Sequence, residues 1–97
     1  MRAIVNITPG RAATAAGWRA REVRVDAATA SIGDILRSVY LKDGSTSLYD
    51  LIAEPAGVKP DFAFFISGVL QRGAVDWSRP VADSEQIHVV DWPIVDS

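Results

Sequence analysis

The side chains that most often carry out chemistry are sparse in this sequence. Its 97 residues include no cysteine and one histidine, His88, so thiol catalysis, disulfides and cysteine-based metal sites are excluded. A single histidine with no second ligand beside it is a poor metal site. We therefore interpret His88 as a structural or surface residue that points away from Ile87 and Val89 on an alternating strand.

The carboxylates and hydroxyls also lack a catalytic arrangement. Asp83 and Glu85 lie in a turn signal, and the sequence provides no general-acid environment for either. Ser45, Thr46 and Ser47 precede an apolar helical pattern and fit a helix cap, because no base can be assigned to activate them as nucleophiles. We expect a non-catalytic protein that uses no cofactor and no metal ion.

Length and composition are those of an ordinary globular domain. Hydrophobic residues make up 48% of the chain and charged residues 23%, and this length supports one modest core. No apolar run approaches the roughly 20 residues of a membrane span, and the first residues lack the apolar stretch of a signal peptide. We expect one domain over residues 1–97, in the cytoplasm, without a membrane partner.

Charge is unevenly distributed along the chain. Residues 1–24 carry five arginines, among them Arg19 and Arg21, and one acid, whereas the remainder carries five bases and eleven acids. The basic start either steers an acidic partner or forms a solvated sheet face, and both interpretations remain open. The net charge of −2 argues against nucleic-acid binding, which needs positive surface.

Alternating apolar residues predict the strands. They indicate strands at residues 2–7, 18–25, 61–68 and 85–90, with Val90 facing outward beside His88, and a short edge strand after the turn at residues 67–68. Pro9, Gly10 and Gly17 predict a long hairpin loop between the first two strands. The strand at residues 61–68 is apolar on both faces, which is typical of a covered internal strand.

In two stretches, residues 29–41 and 45–55, the apolar residues recur at the spacing of a helix face. In the first, Ser31 and Asp34 predict a capping box, and Gly44 is placed to end the helix in the left-handed conformation. The second is a helix of about two turns that Ser47 caps and Pro55 stops.

This order of elements predicts an α+β fold. A helix that follows a hairpin must cross one face of the sheet, and the last strand then returns beside the first. We expect a β-grasp, or ubiquitin-like, arrangement: a mixed sheet of four to five strands, with one main helix and a short second helix on one face. The predicted core consists of Val5, Val23, Val25, Ile32, Ile35, Leu36, Val39, Phe64, Ile66, Ile87 and Val89.

Four segments of the chain resemble the MoaD/ThiS sulfur-carrier proteins. The segments are REVRVDAATASIGDILRSVY, FAFFISGVLQR, RPVADSEQIHVV and PIVDS, and they follow one another as the strands, helix and tail of that family do. The resemblance covers roughly residues 20–97. It implies an E1-like adenylyltransferase as partner and a C-terminal glycine carboxylate that becomes a thiocarboxylate.

The C-terminal end departs from that family pattern. Asp96 and Ser97 occupy the diglycine positions, and Gly-Gly occurs nowhere in the sequence. Glycine gives a carrier tail the slimness and freedom it needs to enter a narrow channel, whereas Asp96 adds bulk and a negative charge. We therefore expect that this tail is not activated.

The tail at residues 91–97 is instead partly apolar and restricted by proline. Trp92, Pro93, Ile94 and Val95 precede Asp96 and Ser97, and proline favours an extended chain on either side of itself. Tryptophan is enriched at interface hot spots, so Trp92 is either a docking anchor or a cover for the sheet edge. Trp18 and Trp77 are likewise either interface residues or covers for an edge of the core, and for Trp77 we favour the core.

These observations predict a binding module that docks on a protein through its sheet face and its tail, with Arg19 and Arg21 contributing charge. The alternative is a sulfur carrier of cofactor biosynthesis with an atypical Asp-Ser terminus. A third possibility, the small subunit of a multicomponent enzyme, would use the same docking surfaces. No nucleic-acid or membrane partner is expected.

Overall fold

The computed structural model describes residues 2–24 and 30–92. Five of its strands form one sheet, and two pairs of very short strands lie apart from it. The elements in chain order are β1 (Arg2–Ile7), α1 (Arg11–Ala16), β2 (Ala20–Arg24), β3 (Ala30–Ser31), α2 (Ile32–Arg37), α3 (Leu48–Ile52), β4 (Ala53–Glu54), β5 (Gly57–Val58), β6 (Phe62–Ile66), β7 (Val69–Gln71), β8 (Pro80–Val81) and β9 (Glu85–Asp91).

The main sheet has the strand order β2-β1-β9-β6-β7. β1 runs antiparallel to β2 and parallel to β9, and β6 runs antiparallel to both β9 and β7. The last strand is therefore the central one, as predicted, and the short strand after residues 67–68 forms an edge. This mixed five-stranded sheet with short helices is a ubiquitin-like β-grasp fold, which confirms the predicted fold class.

The predicted core is buried wherever the structure describes it. Ten of its eleven residues have at most 7% of their surface exposed, and the eleventh, Val25, lies outside the described residues. The helices contribute to the same cluster as the inward side chains of the sheet. Trp77 also belongs to it, since its ring stacks on Phe64 at a centroid distance of 5.5 Å and meets Tyr49 edge-on at 5.2 Å.

The predicted hairpin loop between β1 and β2 is wrong, because this segment contains α1. Its sequence, RAATAA, is rich in alanine, the best helix former, and Ala12 and Ala16 are buried in the core. Gly17 ends the helix in the left-handed conformation, at a φ of 77°, and its N–H donates to the carbonyl of Ala13. Pro9, Gly10 and Gly17 therefore flank a helix of six residues.

The two predicted helices begin where expected and end earlier. Ser31 with Asp34, and Ser47 with Asp50, form complete capping boxes, which confirms both starts. The prediction that Gly44 ends the first helix is wrong: α2 ends at Arg37, and Gly44 instead donates its N–H to Leu41 in a turn.

The predicted stop of the second helix at Pro55 is also wrong by three residues. α3 ends at Ile52, where the chain enters the β4–β5 hairpin. Both differences arise because the chain after each helix makes other backbone bonds: the Leu48 N–H donates to the Val39 carbonyl, and the Lys59 N–H donates to the Ile52 carbonyl.

Replacing Phe64 by alanine tests this core. Phe64 is fully buried, so the loss of transfer free energy and the cavity left behind should lower the free energy of unfolding by about 2–5 kcal/mol. Urea denaturation of the purified chain measures the change. The control is Leu70→Ala on the neighbouring strand, which should change the stability by less than about 0.5 kcal/mol because Leu70 is exposed. Equal urea midpoints for both variants would show that the described packing is wrong.

Candidate functional site

The sheet has one covered face and one open face. Side chains from all three described helices join the inward side chains of the sheet in a single buried cluster, so within residues 2–24 and 30–92 no helix contributes to the opposite face. Because side chains alternate along each strand, residues paired across neighbouring strands share a face. The registers therefore define which side chains lie on the open face.

One row of paired residues crosses the whole open face. Leu70 of β7 pairs with Phe65 of β6, Phe65 pairs with His88 of β9, His88 pairs with Asn6 of β1, and Asn6 pairs with Ala20 of β2. The row is apolar at the β7 end and polar at the β1 end. It therefore offers a partner two different kinds of contact, and Leu70 and His88, which are two strand spacings apart, are separated by about 10 Å.

The apolar end of the row is accessible. Leu70 is 44% exposed, whereas its neighbour Val69 pairs with the core residue Ile66 and so belongs to the other face of the sheet. Phe65 is half-buried. Large exposed apolar side chains that lie together are typical of interaction surfaces, and we name Phe65 and Leu70 the apolar patch.

The polar end of the row opens into a cleft of about 420 Å³, lined by residues that include Asn6, Thr8, Arg19 and His88. Thr8 Oγ1 and His88 Nε2 lie 2.6 Å apart and share a hydrogen bond. The prediction that His88 points outward is confirmed, since its side chain is exposed. We name this feature the polar cleft.

Trp92 lies at the end of the open face, under a guanidinium group. Arg72 Cζ is 4.3 Å from the centroid of the Trp92 ring, within the range of a cation–π contact. The Trp92 backbone N–H donates to the Asp61 carbonyl at 2.8 Å. Trp92 is half-buried, so its ring contacts the domain and still presents surface to solvent.

Val90 differs from its prediction in exposure. It lies on the outer side of β9 as predicted but is only 6% exposed. Val90 pairs with the fully buried Ala63, and neither belongs to the main core cluster. The register of β6 with β7 extends to bring Arg72 alongside Ala63, so the Arg72–Trp92 pair lies over this part of the face.

Asp91 fixes the chain just before Trp92. Its carboxylate accepts hydrogen bonds from the backbone N–H groups of Arg11, at 2.8 Å, and Ala12, at 3.3 Å, and from Nε of Arg11, at 3.3 Å. It thus caps the N-terminus of α1 from the far end of the chain. A Cβ atom on Gly10 would lie 2.6 Å from Asp91 Oδ2, so a glycine is needed there.

These contacts decide the ionisation of Asp91. Partial burial raises the pKa of its carboxyl group, but the two backbone hydrogen bonds and the Arg11 guanidinium outweigh that effect and hold the pKa below its ordinary value. Asp91 is therefore a charged structural cap. No local sequence pattern marks this role, because the cap and the helix are some 80 residues apart.

The predicted site residues fall into three groups. Trp92 and Arg19 border the open face, as described above. Arg21 lies away from it, with Cζ 4.7 Å from the centroid of the Trp18 ring, and the Trp18 Nε1–H donates to the Tyr40 carbonyl. Pro93, Ile94, Val95, Asp96 and Ser97 lie outside the described residues.

Candidate chemistry is limited in the part of the chain that the structure describes. No group of three or more histidine, cysteine, aspartate or glutamate side chains is placed to hold a metal ion there. Ser45, Thr46 and Ser47 are occupied in the loop and cap before α3, where Asp43 accepts from Ser45 and Thr46. No helix in this part is long and apolar enough to cross a membrane.

The architecture defines the class of the molecule, a ubiquitin-like β-grasp domain. No family model matches the chain, and no curated protein matches it. Among solved structures, the chain is similar to SAMP1 from Haloferax volcanii, with a TM-score of 0.66, 15% sequence identity and coverage of 100% of both chains. At this identity the likeness shows the fold.

Asp91→Asn should destabilise the fold in a pH-dependent way. Because the folded-state pKa of Asp91 is lowered, its charge stabilises the fold above the ordinary pKa near 4, and this contribution is lost as the pH falls through the lowered value. We expect a loss of about 0.5–2 kcal/mol at pH 7, as for other helix caps. The difference in the free energy of unfolding between this variant and wild type should begin to shrink once the pH drops below about 4, and it should close only below the lowered pKa.

Urea denaturation across a pH series measures this gap. Asp61→Asn is the matched control, because Asp61 is exposed and its side chain lies 3.8 Å from the same Arg11. The free energy of unfolding of Asp61→Asn should lie close to that of wild type at every pH, because surface ion pairs contribute little. A gap between Asp91→Asn and wild type that stays constant across the pH series would contradict the charged cap.

Proposed function

We propose that this chain is a non-catalytic, ubiquitin-like binding module that docks on a protein partner through the open face of its sheet and the segment that begins at Trp92. The observation that carries this proposal is the open face itself. It presents the apolar patch, the polar cleft and the Trp92 ring together, while the helices cover the other face.

The composition of the open face supports a protein as the partner. Aromatic and arginine side chains are enriched in protein interfaces, and lysine and glutamate are depleted. Phe65, Trp92, Arg72 and Arg19 are of the enriched types. The partner we propose is an E1-like adenylyltransferase or the larger subunit of an enzyme, because proteins with the resemblance noted above dock on such partners.

Residues 93–97 complete the proposed surface on grounds of sequence. Pro93 restricts the backbone at its own position and at Trp92, and a restricted segment loses less conformational entropy on binding than a glycine-rich one. The contacts of Asp91 with α1 fix the point from which the segment starts. Ile94 and Val95 then add apolar surface next to Trp92.

The alternative function is a sulfur carrier or protein modifier with an atypical terminus. The likeness of the fold to SAMP1 over the full chain supports it, as does the resemblance to sulfur carriers. The sequence at residues 96–97 opposes it, because Asp-Ser stands where those carriers have glycines. The two functions share a docking step and differ in whether the terminus is activated.

The docking proposal predicts that Trp92→Ala and Leu70→Asp each weaken binding by more than tenfold. Truncating a buried tryptophan anchor costs about 2 kcal/mol or more, and a charge at Leu70 would be desolvated against an apolar partner surface. The partner is first identified by capture on the tagged chain in its own host. Calorimetry with the purified pair then gives the dissociation constants.

Tyr40→Ala is the control for this experiment. Tyr40 is 48% exposed but does not lie on the open face, so its truncation should leave the affinity unchanged. Thermal unfolding of each variant separates docking from internal packing, since Trp92 also contacts Arg72. A Trp92→Ala variant that loses stability while keeping its affinity would rule out the docking role of Trp92.

A chain that ends at Ser97 should not be activated. With a cognate E1-like enzyme, ATP–pyrophosphate exchange should stay at background, and the intact mass should show no sulfur-for-oxygen exchange after addition of a sulfur source. The variant Asp96→Gly with Ser97→Gly should exchange better, because it removes the charge and bulk beside the reacting carboxylate. Robust exchange by the wild-type chain, lost when Ser97 is deleted, would favour the carrier function instead.

A further inference from the structure

Side chains with hydrogen-bond donors and one cation line the polar cleft, together with Ile7, Pro9 and Ala20. Asn6, Thr8, Arg19 and His88 line it, and no carboxylate does. Arg19 is exposed, and none of the ion pairs within the described residues includes it. Glu22, on the adjoining strand, is instead paired with Arg24 at 3.0 Å and with Arg2 at 3.8 Å.

The Thr8–His88 hydrogen bond keeps a donor available for a ligand. A neutral imidazole has one N–H and one bare nitrogen. If His88 Nε2–H donates to Thr8, the threonine hydroxyl hydrogen is left over, and if Thr8 donates to His88 Nε2, the Nδ1–H of His88 is left over. In both arrangements the pair retains one unused hydrogen, and the Asn6 amide adds two more donor hydrogens.

This set of groups matches a carboxylate better than a polyanion. One guanidinium can bind a carboxylate through two parallel hydrogen bonds, and the neutral donors complete its coordination. A phosphate diester chain would need several cations, whereas the whole chain carries a net charge of −2. The ligand that fits is a single carboxylate.

We propose that the polar cleft binds the carboxylate of an aspartate or glutamate on the protein partner. This inference rests on the proposed docking function and specifies the chemistry of the partner. Along the row that crosses the open face, Leu70 of the apolar patch and His88 of the cleft lie two strand spacings apart, about 10 Å. An extended segment advances about 3.3 Å per residue, so the partner segment has an apolar residue about three positions from its acid.

Two peptides that differ in one group test this proposal. The first is acetyl-Glu-Ala-Ala-Leu-amide, and the second carries Gln in place of Glu. We titrate each into the isotopically labelled full chain and follow the backbone amide resonances by NMR. The Glu peptide should shift the amides of Thr8, Arg19, Phe65 and Leu70, and its dissociation constant should be at least fivefold lower than that of the Gln peptide.

Variants of the chain test whether the cleft causes the difference in affinity between the two peptides. Arg19→Gln and Thr8→Val should each weaken the Glu peptide at least threefold and leave the Gln peptide unchanged. Arg24→Gln is the control, because Arg24 is an exposed arginine of β2 that is already paired with Glu22. Its effect on both peptides should be small.

Three results would overturn the proposal. They are equal affinities for the two peptides, no binding of the Glu peptide to the cleft, and tighter binding of inorganic phosphate than of the Glu peptide at the same amides. None of these results depends on how Trp92→Ala and Leu70→Asp change the affinity for the captured partner. Failure of the carboxylate site is therefore distinguishable from failure of docking itself.

Discussion

The parallel pairing of β1 with β9 is the interaction on which the other features depend. It joins residues about 80 positions apart, from Ala3 with Glu85 to Ile7 with Val89, and places the last strand at the centre of the sheet. Through it His88 reaches Thr8, and Asp91 reaches the N-terminus of α1. Without β9 in this place, the polar cleft would have no histidine and α1 would have no carboxylate cap.

The contrast between the helices shows what sequence can and cannot predict in this fold. The starts of α2 and α3 were predictable, because each cap and its partner are three residues apart and both bonds are local. α1 was not, because its N-cap residue, Gly10, makes no side-chain bond and the carboxylate that stabilises the helix comes from β9. A helix of six residues is marginal alone, and the burial of Ala12 and Ala16 together with this distant cap stabilises it here.

The open face was predictable in outline and not in detail. Alternation predicts that His88 points outward, and the apolar residues on both faces of β6 predict an internal strand of the sheet. The pairing of His88 with Thr8 and the stacking of Arg72 on Trp92 join residues from different strands. No local pattern marks such pairs, because they arise from the register between strands and not from the order of residues within one.

The position of Asp91 links the two parts of the proposed docking surface. Asp91 is bonded to α1, and the next residue, Trp92, contacts both Asp61 and Arg72. The starting point of the segment after Trp92 is therefore fixed relative to the open face. A partner that contacts the apolar patch and the polar cleft meets two features with a set spacing, since neighbouring strands of a sheet lie about 4.8 Å apart. In the proposed docking, such pre-organisation would reduce the entropy lost on binding and would favour partners whose acidic and apolar residues match that spacing.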